Sequence, residues 1–335
     1  MKKHSLNKRR KVNLATTTSI TTTYQGESAG KYVSAMLLSA NTIENGGVEV
    51  MPNIKFRATM KKGLLDDIVK DAECDFTPTS ELSLVERTIE PKELAVNLTL
   101  CRKDFRDDWD AISMGYSVYD NLPPSFQEWM IAYVLGKVAQ RNELSLWQGV
   151  GTGVSAVSGQ YDGLLTHMGR GITSGDIPAG NVITGTTIDA NNVIDQLGLI
   201  SDAISDANYG AEGLSIYVPQ NVMRAYVRAL GGFGAQGLGA SGTDNKGTQW
   251  FNNQALTFDG IPLFMCNGLP ANKMVATTKD NLYFGTGILN DANEVRLIDT
   301  SETLGDQNVR VVCRFTAGCN YAIGDDVVTY GVAGI

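Results

Sequence analysis

Two consecutive prolines, Pro123 and Pro124, precede the longest helical pattern in the chain, and that pattern sets the scale of whatever packs around it. Ser125 is a good N-cap, and Glu128 three residues later completes a capping box, so the start of the helix is well specified. Phe126, Met130, Tyr133, Val134 and Val138 keep a 3.6-residue stripe, and Trp129 widens it. The run continues to Trp147 before Gly149 and Gly151 stop it. Such a helix is a rod of roughly 30 Å or more.

Upstream, the periodicity changes from helical to alternating. Ile54, Phe56, Ala58 and Met60 fall on one face, with Lys55, Arg57 and Thr59 on the other. A second alternation runs through Leu94, Val96, Leu98 and Leu100. Two strands are expected. The roughly thirty residues between them are highly charged, from Lys61 and Lys62 through Lys70 to Glu86, Arg87 and Glu90. Loops of that length inside a compact domain are usually functional, so the segment is expected to be a hairpin arm projecting from the body.

Downstream of the long helix, Gly149 to Gly185 is rich in Gly and Ser and reads as a linker. A second amphipathic helix then carries Val193, Leu197, Ile200 and Ile204. A strand over Leu214 to Val218 follows, and Pro219 opens a third helix with Met223, Tyr226, Val227 and Leu230. This alternation marks a separate α/β lobe. Past a second Gly-rich stretch, Gly231 to Gly247, strands are expected at Ile261 to Cys266, Leu282 to Phe284, Val309 to Phe315 and Asp326 to Tyr330.

Charge divides the chain unevenly. Lys2, Lys3, Lys8, Arg9, Arg10 and Lys11 form a basic block, and no acid appears before Glu27. Setting that block aside leaves 22 basic residues against 36 acidic ones, a remainder of −14. A basic arm on an acidic body can engage an anionic partner while the body stays self-repelling. Six neutralised phosphates give a log K versus log salt slope of roughly −5 on double-stranded DNA. Seven of the nine residues of the following run 15–23 are Thr or Ser, with β-propensity but no hydrophobic face, so the arm is expected to order only on another surface. A short apolar stretch, Tyr32 to Leu38, fits one modest helix.

Chemistry is poorly represented. The five cysteines, Cys74, Cys101, Cys266, Cys313 and Cys319, lack C-x-x-C spacing, so neither a disulfide framework nor a zinc site is expected, and no cofactor is implied. Gly232, Gly234 and Gly237 spell G-x-G-x-x-G without the strand–turn–helix context that a dinucleotide site needs. Gly26 to Lys31 is one residue short of a phosphate loop, and Tyr32 stands where Ser or Thr would bind magnesium. The only histidines are His4 and His167, and no G-x-S-x-G elbow accompanies them. A hydrolase built on His167 is the distant alternative. The acid pairs Asp66-Asp67, Asp107-Asp108 and Asp325-Asp326 read as solvated charge. Asn97-Leu98-Thr99 is a glycosylation sequon with no secretory route to use it. No apolar stretch approaches the length of a membrane span, and no secretory signal is read. A protein of contacts rather than of catalysis fits this pattern.

An expected N-arm and long hairpin are followed by a helix ending in Leu146-Trp147-Gln148-Gly149, then by Asp162-Gly163-Leu164-Leu165. Phe258-Asp259-Gly260-Ile261-Pro262-Leu263, Asn281-Leu282-Tyr283-Phe284-Gly285 and Asn308-Val309-Arg310-Val311 come after them. In this order the parts resemble the tailed-phage major capsid proteins of the Hong Kong 97-like fold over essentially the whole chain. The implied fold is α+β. It has an extended N-arm at residues 1–45, an E-loop hairpin at 46–100 and a peripheral domain at 101–185 with its spine helix at 124–148. An axial domain at 186–290 and a return to peripheral strands at 291–335 complete the layout. The resemblance implies no enzyme, but a subunit that assembles with itself, as hexamers and pentamers, into an icosahedral shell around double-stranded DNA. Its place would be the virion capsid, assembled in the cytoplasm of a bacterial host. Portal, scaffolding or decoration proteins are further partners, with scaffolding expected as a separate protein. Lys61, Lys62, Lys70, Glu86 and Arg87 are the candidate inter-subunit contacts of the E-loop, and the basic block is a candidate contact with DNA or a neighbour. Encapsulin-type compartments share the fold and are the alternative reading.

Overall fold

The computed structural model describes residues 22–25, 41–64, 69, 71, 83–101, 124–151, 160–231, 256–287, 294–300 and 308–335. The basic block, the Tyr32 to Leu38 helix, Lys70, Cys74, the glycines of the G-x-G-x-x-G run, the Gly26 to Lys31 loop and the pairs at 66–67 and 107–108 lie outside the described residues.

The organising element is a fourteen-residue strand, Asn308–Tyr321. Its first part alternates: Val309, Val311, Cys313 and Phe315 are at most 4% exposed while Arg310 and Arg314 face out, and from Ala317 to Tyr321 every residue is buried. The alternation is the pattern of an antiparallel strand with one face on a core and one toward water. Numbered in chain order with the rest, the strands of its sheet are β1 (Thr22–Gln25), β2 (Glu49–Met51), β5 (Lys92–Cys101), β11 (Leu282–Thr286), β12 (Glu294–Asp299) and β13, the long strand itself. β5 lies along one side of β13, from Asn308↔Cys101 to Ala317↔Lys92. β12 and β11 lie end to end along the other side, flanked by β1 and by the parallel β2.

The hairpin is real but differs from the expected one. Its strands are β3 (Ala58–Leu64) and β4 (Ser83–Ile89), paired from Ala58↔Ile89 to Leu64↔Ser83. The alternating run at 94–100 belongs to β5, in the main sheet. Ile54, read as a strand residue, is instead buried beneath the hairpin, its N–H bonded to the Thr286 carbonyl at 3.0 Å.

The long helix, α2, spans Pro124–Gln148; a single turn, α1, precedes it at Asn41–Glu44. Because α2 begins at Pro124, Ser125 stands inside the first turn rather than at its cap. Proline suits that turn, since its missing N–H would have had no helical partner there. Phe126, Trp129, Met130 and Tyr133 lie outside the described side chains. The second half of α2 buries Val134, Leu135, Ala139, Asn142, Glu143, Leu146 and Trp147, and of these Leu135, Leu146 and Trp147 join a core cluster that residues of both sheets line.

The expected linker at 149–185 is a correction. It holds an amphipathic helix, α3 (Leu164–Ser174), with Leu164, Leu165 and Met168 in the core. Its glycines are packing residues: a Cβ on Gly169 would meet the Ile335 side chain, and one on Gly171 the Tyr321 hydroxyl. Gly175, at φ 80°, ends the helix in the left-handed conformation, and its N–H returns to the last turn.

The second sheet runs in the order β6 (Val182–Ile183), β14 (Val328–Tyr330), β10 (Met274–Thr278), β7 (Leu214–Val218), β9 (Ile261–Met265), β8 (Thr257–Phe258). Helices α4 (Val193–Ala203) and α5 (Gln220–Gly231) cover it, with Val193, Leu197, Ile200 and Ile204 buried as their spacing requires. β8 and β9 turn on Asp259 (φ 48°) and Gly260 (φ 79°), the Asp-Gly signature of a tight hairpin. Sheet membership crosses the expected boundaries. β6 and β14 join this sheet from outside 186–290, whereas β11, within that range, joins the main sheet.

Candidate functional site

The sequence places the contact residues on the hairpin, and the structure divides them into two groups. Lys61 and Glu86 are cross-strand partners whose charged groups meet at 3.0 Å, with 59% and 54% of their side chains exposed. They stand on the outside of the arm, where such a pair contributes little to stability and remains available to another surface. The Lys62 side chain lies outside the described residues. Arg87 behaves differently.

Arg87 turns into the body. Its guanidinium meets the Asp176 carboxylate just past the end of α3 at 2.5 Å and lies 3.8 Å from the centre of the Tyr321 ring. The Tyr321 hydroxyl donates to the same carboxylate at 2.9 Å. Burial pushes the Tyr321 phenol up to about 12, against the opposing effect of Arg87. One residue before Tyr321, the Asn320 amide donates to the Thr88 carbonyl at 2.9 Å. Ile89 is buried, and Ile54 and Ile89 close on Gly285 so tightly that a Cβ there would clash with both. The root of the arm is therefore bolted to β13, β11 and α3, while Phe56 beside it is 79% exposed. Position along the chain marks Arg87 as an arm residue; only the fold shows that it anchors the arm.

A second junction ties the N-terminal segment to α2. Glu143 is 3% exposed, and its carboxylate accepts from the Thr42 N–H at 3.0 Å, the Thr42 hydroxyl at 2.5 Å and the Gly268 N–H at 3.3 Å. The Thr42 hydroxyl in turn accepts from the Trp147 indole at 3.0 Å. Trp147, Tyr217 and Phe264 stack in series at 5.6 and 5.4 Å, carrying the contact from α2 into the second sheet. Tyr217 closes the junction by donating to the Gly47 carbonyl at 2.6 Å. Sequence reasoning missed Glu143, because an acid on a long helix reads as solvated.

The two sheets share one further polar junction. Asn281 is buried; its amide donates to the Thr277 hydroxyl and the Ile323 carbonyl, and its oxygen accepts from the N–H groups of Ala322 and Ile323. That fourfold satisfaction explains why Asn stands before Leu282-Tyr283-Phe284-Gly285.

His167 lies on α3 beside Asp162 and Arg170. Burial is the main cause that lowers it to about 4, with Arg170 and Arg87 adding to the effect and Asp162 opposing it. Burial alone would raise the Asp162 carboxyl. Hydrogen bonds from Arg170 at 2.8 Å and the Gly151 N–H at 2.8 Å bring it below its ordinary value instead. The described residues contain no cluster of metal-ligating side chains and no helix long and apolar enough to cross a membrane.

No family model and no curated protein matches the sequence. Solved structures do match the fold. A chain of the satellite phage P4 procapsid, a particle that includes a size determination protein, aligns with a TM-score of 0.57 at 10% identity, covering 91% of this chain and 99% of that one. A chain of the cyanophage A-1(L) capsid gives 0.56 at 14% identity, over 89% and 94%. A chain of the capsid of the empty GTA particle gives 0.55 at 14% identity, over 96% and 95%. Along nearly its whole length, this chain has the mixed helix-and-sheet fold found in phage capsids.

Proposed function

We propose that this protein is the major capsid protein of a tailed, double-stranded DNA phage, a structural subunit that assembles with its own copies into an icosahedral shell. The observation that carries this reading is the near end-to-end likeness in fold to chains of three capsids, with about nine tenths or more of each chain covered. In the Hong Kong 97-like layout, the β3–β4 hairpin is the E-loop and α2 the spine helix. The sheet around β13 belongs to the peripheral domain, and the sheet covered by α4 and α5 belongs to the axial domain.

Hexamers and pentamers of such subunits form the wall, the exposed Lys61–Glu86 face of the hairpin meets a neighbour, and the basic block reaches packaged DNA or an adjoining subunit. Portal, scaffolding and decoration proteins are the remaining partners, and assembly takes place in the host cytoplasm. Shell assembly needs no strong single contact: a few kcal/mol per interface, about millimolar affinity, suffices when several neighbours hold each subunit. Negative-stain electron microscopy of the native particle, with analysis of its nuclease-protected nucleic acid, tests the proposal. Closed shells holding DNA support it, shells holding protein cargo point to an encapsulin, and a small monodisperse oligomer refutes both.

A further inference from the structure

The sequence holds two Asn-Gly pairs, Asn45-Gly46 and Asn267-Gly268. Such a pair can convert itself. The glycine nitrogen attacks the asparagine side-chain carbonyl carbon and closes a five-membered imide, a close approach that no Cβ on the second residue hinders. The step needs a free carboxamide and a group that takes the amide proton as the C–N bond forms. The two pairs differ on both counts.

Asn45 is tied down. Its amide donates to the carbonyl and to the side-chain oxygen of Asn41, at 2.9 and 2.8 Å, and the Gly46 N–H donates to the Ile43 carbonyl at 3.0 Å. A carbonyl does not take that proton. Asn267 is exposed, and among the described residues none bonds its side chain. The N–H of buried Gly268 points at a carboxylate: Glu143 Oε1 lies 3.3 Å away, the longest of the three hydrogen bonds that Glu143 accepts.

We propose that Asn267 is a site of self-modification, in which the Gly268 nitrogen displaces the Asn267 amide with Glu143 as general base. The bond that forms joins Gly268 N to Asn267 Cγ, and the bond that breaks is Cγ–Nδ2. The Gly268 proton passes to Glu143 and, through solvent, to the departing nitrogen, which leaves as ammonia. Water then opens the imide at either carbonyl, giving aspartate or isoaspartate. Isoaspartate adds a methylene to the main chain where there is no slack. The Cys266 N–H is held by the Val218 carbonyl at 2.9 Å, the Gly268 carbonyl accepts from the Gln148 amide at 2.6 Å, and a Cβ on Gly268 would collide with the Glu143 carbonyl. The product therefore loosens the grip of α2 on the second sheet.

The test is peptide mapping by mass spectrometry of the full chain aged in mildly alkaline buffer, with Asn45 as the internal reference. Asn267 should convert several-fold faster than Asn45 and yield isoaspartate; a rate equal to or below that of Asn45 overturns the inference. Glu143→Gln should slow conversion at Asn267 by about tenfold or more. Thr42→Val, which disturbs the same junction but keeps the carboxylate, should not slow it. Equal slowing in both variants, or none in Glu143→Gln, refutes the role of Glu143. If Glu143→Gln fails to fold, the wild-type rates decide: an Asn267-to-Asn45 ratio that falls to parity in urea supports the inference, and an unchanged ratio refutes it.

Discussion

Replacing Glu143 by Gln isolates one question: whether the buried carboxylate strengthens or weakens the fold. The change conserves shape, so packing against Thr42 and Trp147 stays constant. Desolvating a carboxylate costs several kcal/mol, and if that cost dominated, a neutral amide would stabilise the protein. The hydrogen bonds argue the other way. One carboxylate oxygen accepts from the Thr42 hydroxyl and the Gly268 N–H, the other from the Thr42 N–H. Gln offers one accepting oxygen and an NH2 group, so either orientation leaves at least one buried backbone N–H facing a donor. An orphaned donor costs about 1–3 kcal/mol, and hydrogen bonds to a charged acceptor are worth about 1.5–3 kcal/mol each. Glu143→Gln is therefore expected to lower stability by about 2 kcal/mol in urea unfolding of disassembled subunits. Thr42→Val, which removes the hydroxyl shared by Glu143 and Trp147, should cost about as much, and the double variant less than the sum because the two act through one network. A Glu143→Gln protein as stable as wild type, or more stable, would refute the reasoning.

Arg87→Ala removes a pair whose side chains are 21% and 30% exposed, between the surface and buried limits, so a loss of about 2 kcal/mol is expected. Its signature is faster hydrogen exchange confined to the hairpin strands; unchanged exchange there would show that Arg87 does not hold the arm. His167 supplies a pH dependence. Its folded value of about 4 lies below the ordinary 6.5, so its contribution is complete above pH 6.5 and lost as pH falls toward 4. That loss is on the order of 2–3 kcal/mol, and a His167→Gln variant should show a flatter stability profile over this window. Deleting residues 2–11 should leave thermal unfolding of the subunit unchanged but impair assembly or packaging, and full infectivity of the deletion would count against a role for the basic block.

Elements with a strong period were legible in the sequence: β7, α4, α5, β9 and β13 stand where their apolar spacing put them, because each buries one continuous face. The hairpin was legible as an arm but not in register. Alternation reports that a residue pair faces a core, not which strand lies alongside, so residues 94–100 could be assigned to the arm although they pair with β13. α3 was hidden by its glycines, which read as breakers in sequence and serve as close-contact sites in the fold. Glu143 was missed because a charged residue on a long helix is assigned to solvent by default. Arg87 was placed among the contacts of the arm, and its anchoring role was not legible because its partners Asp176 and Tyr321, like Thr42 and Gly268 for Glu143, are distant in sequence.

Whether this chain builds a closed shell is decided by a cryo-electron microscopy reconstruction of the purified particle. The expected result is an icosahedral wall in which this fold repeats in clusters of six and five, with the β3–β4 hairpin lying against a neighbouring copy. A wall built by a different protein, or a chain that remains a small discrete oligomer under assembly conditions, would contradict it.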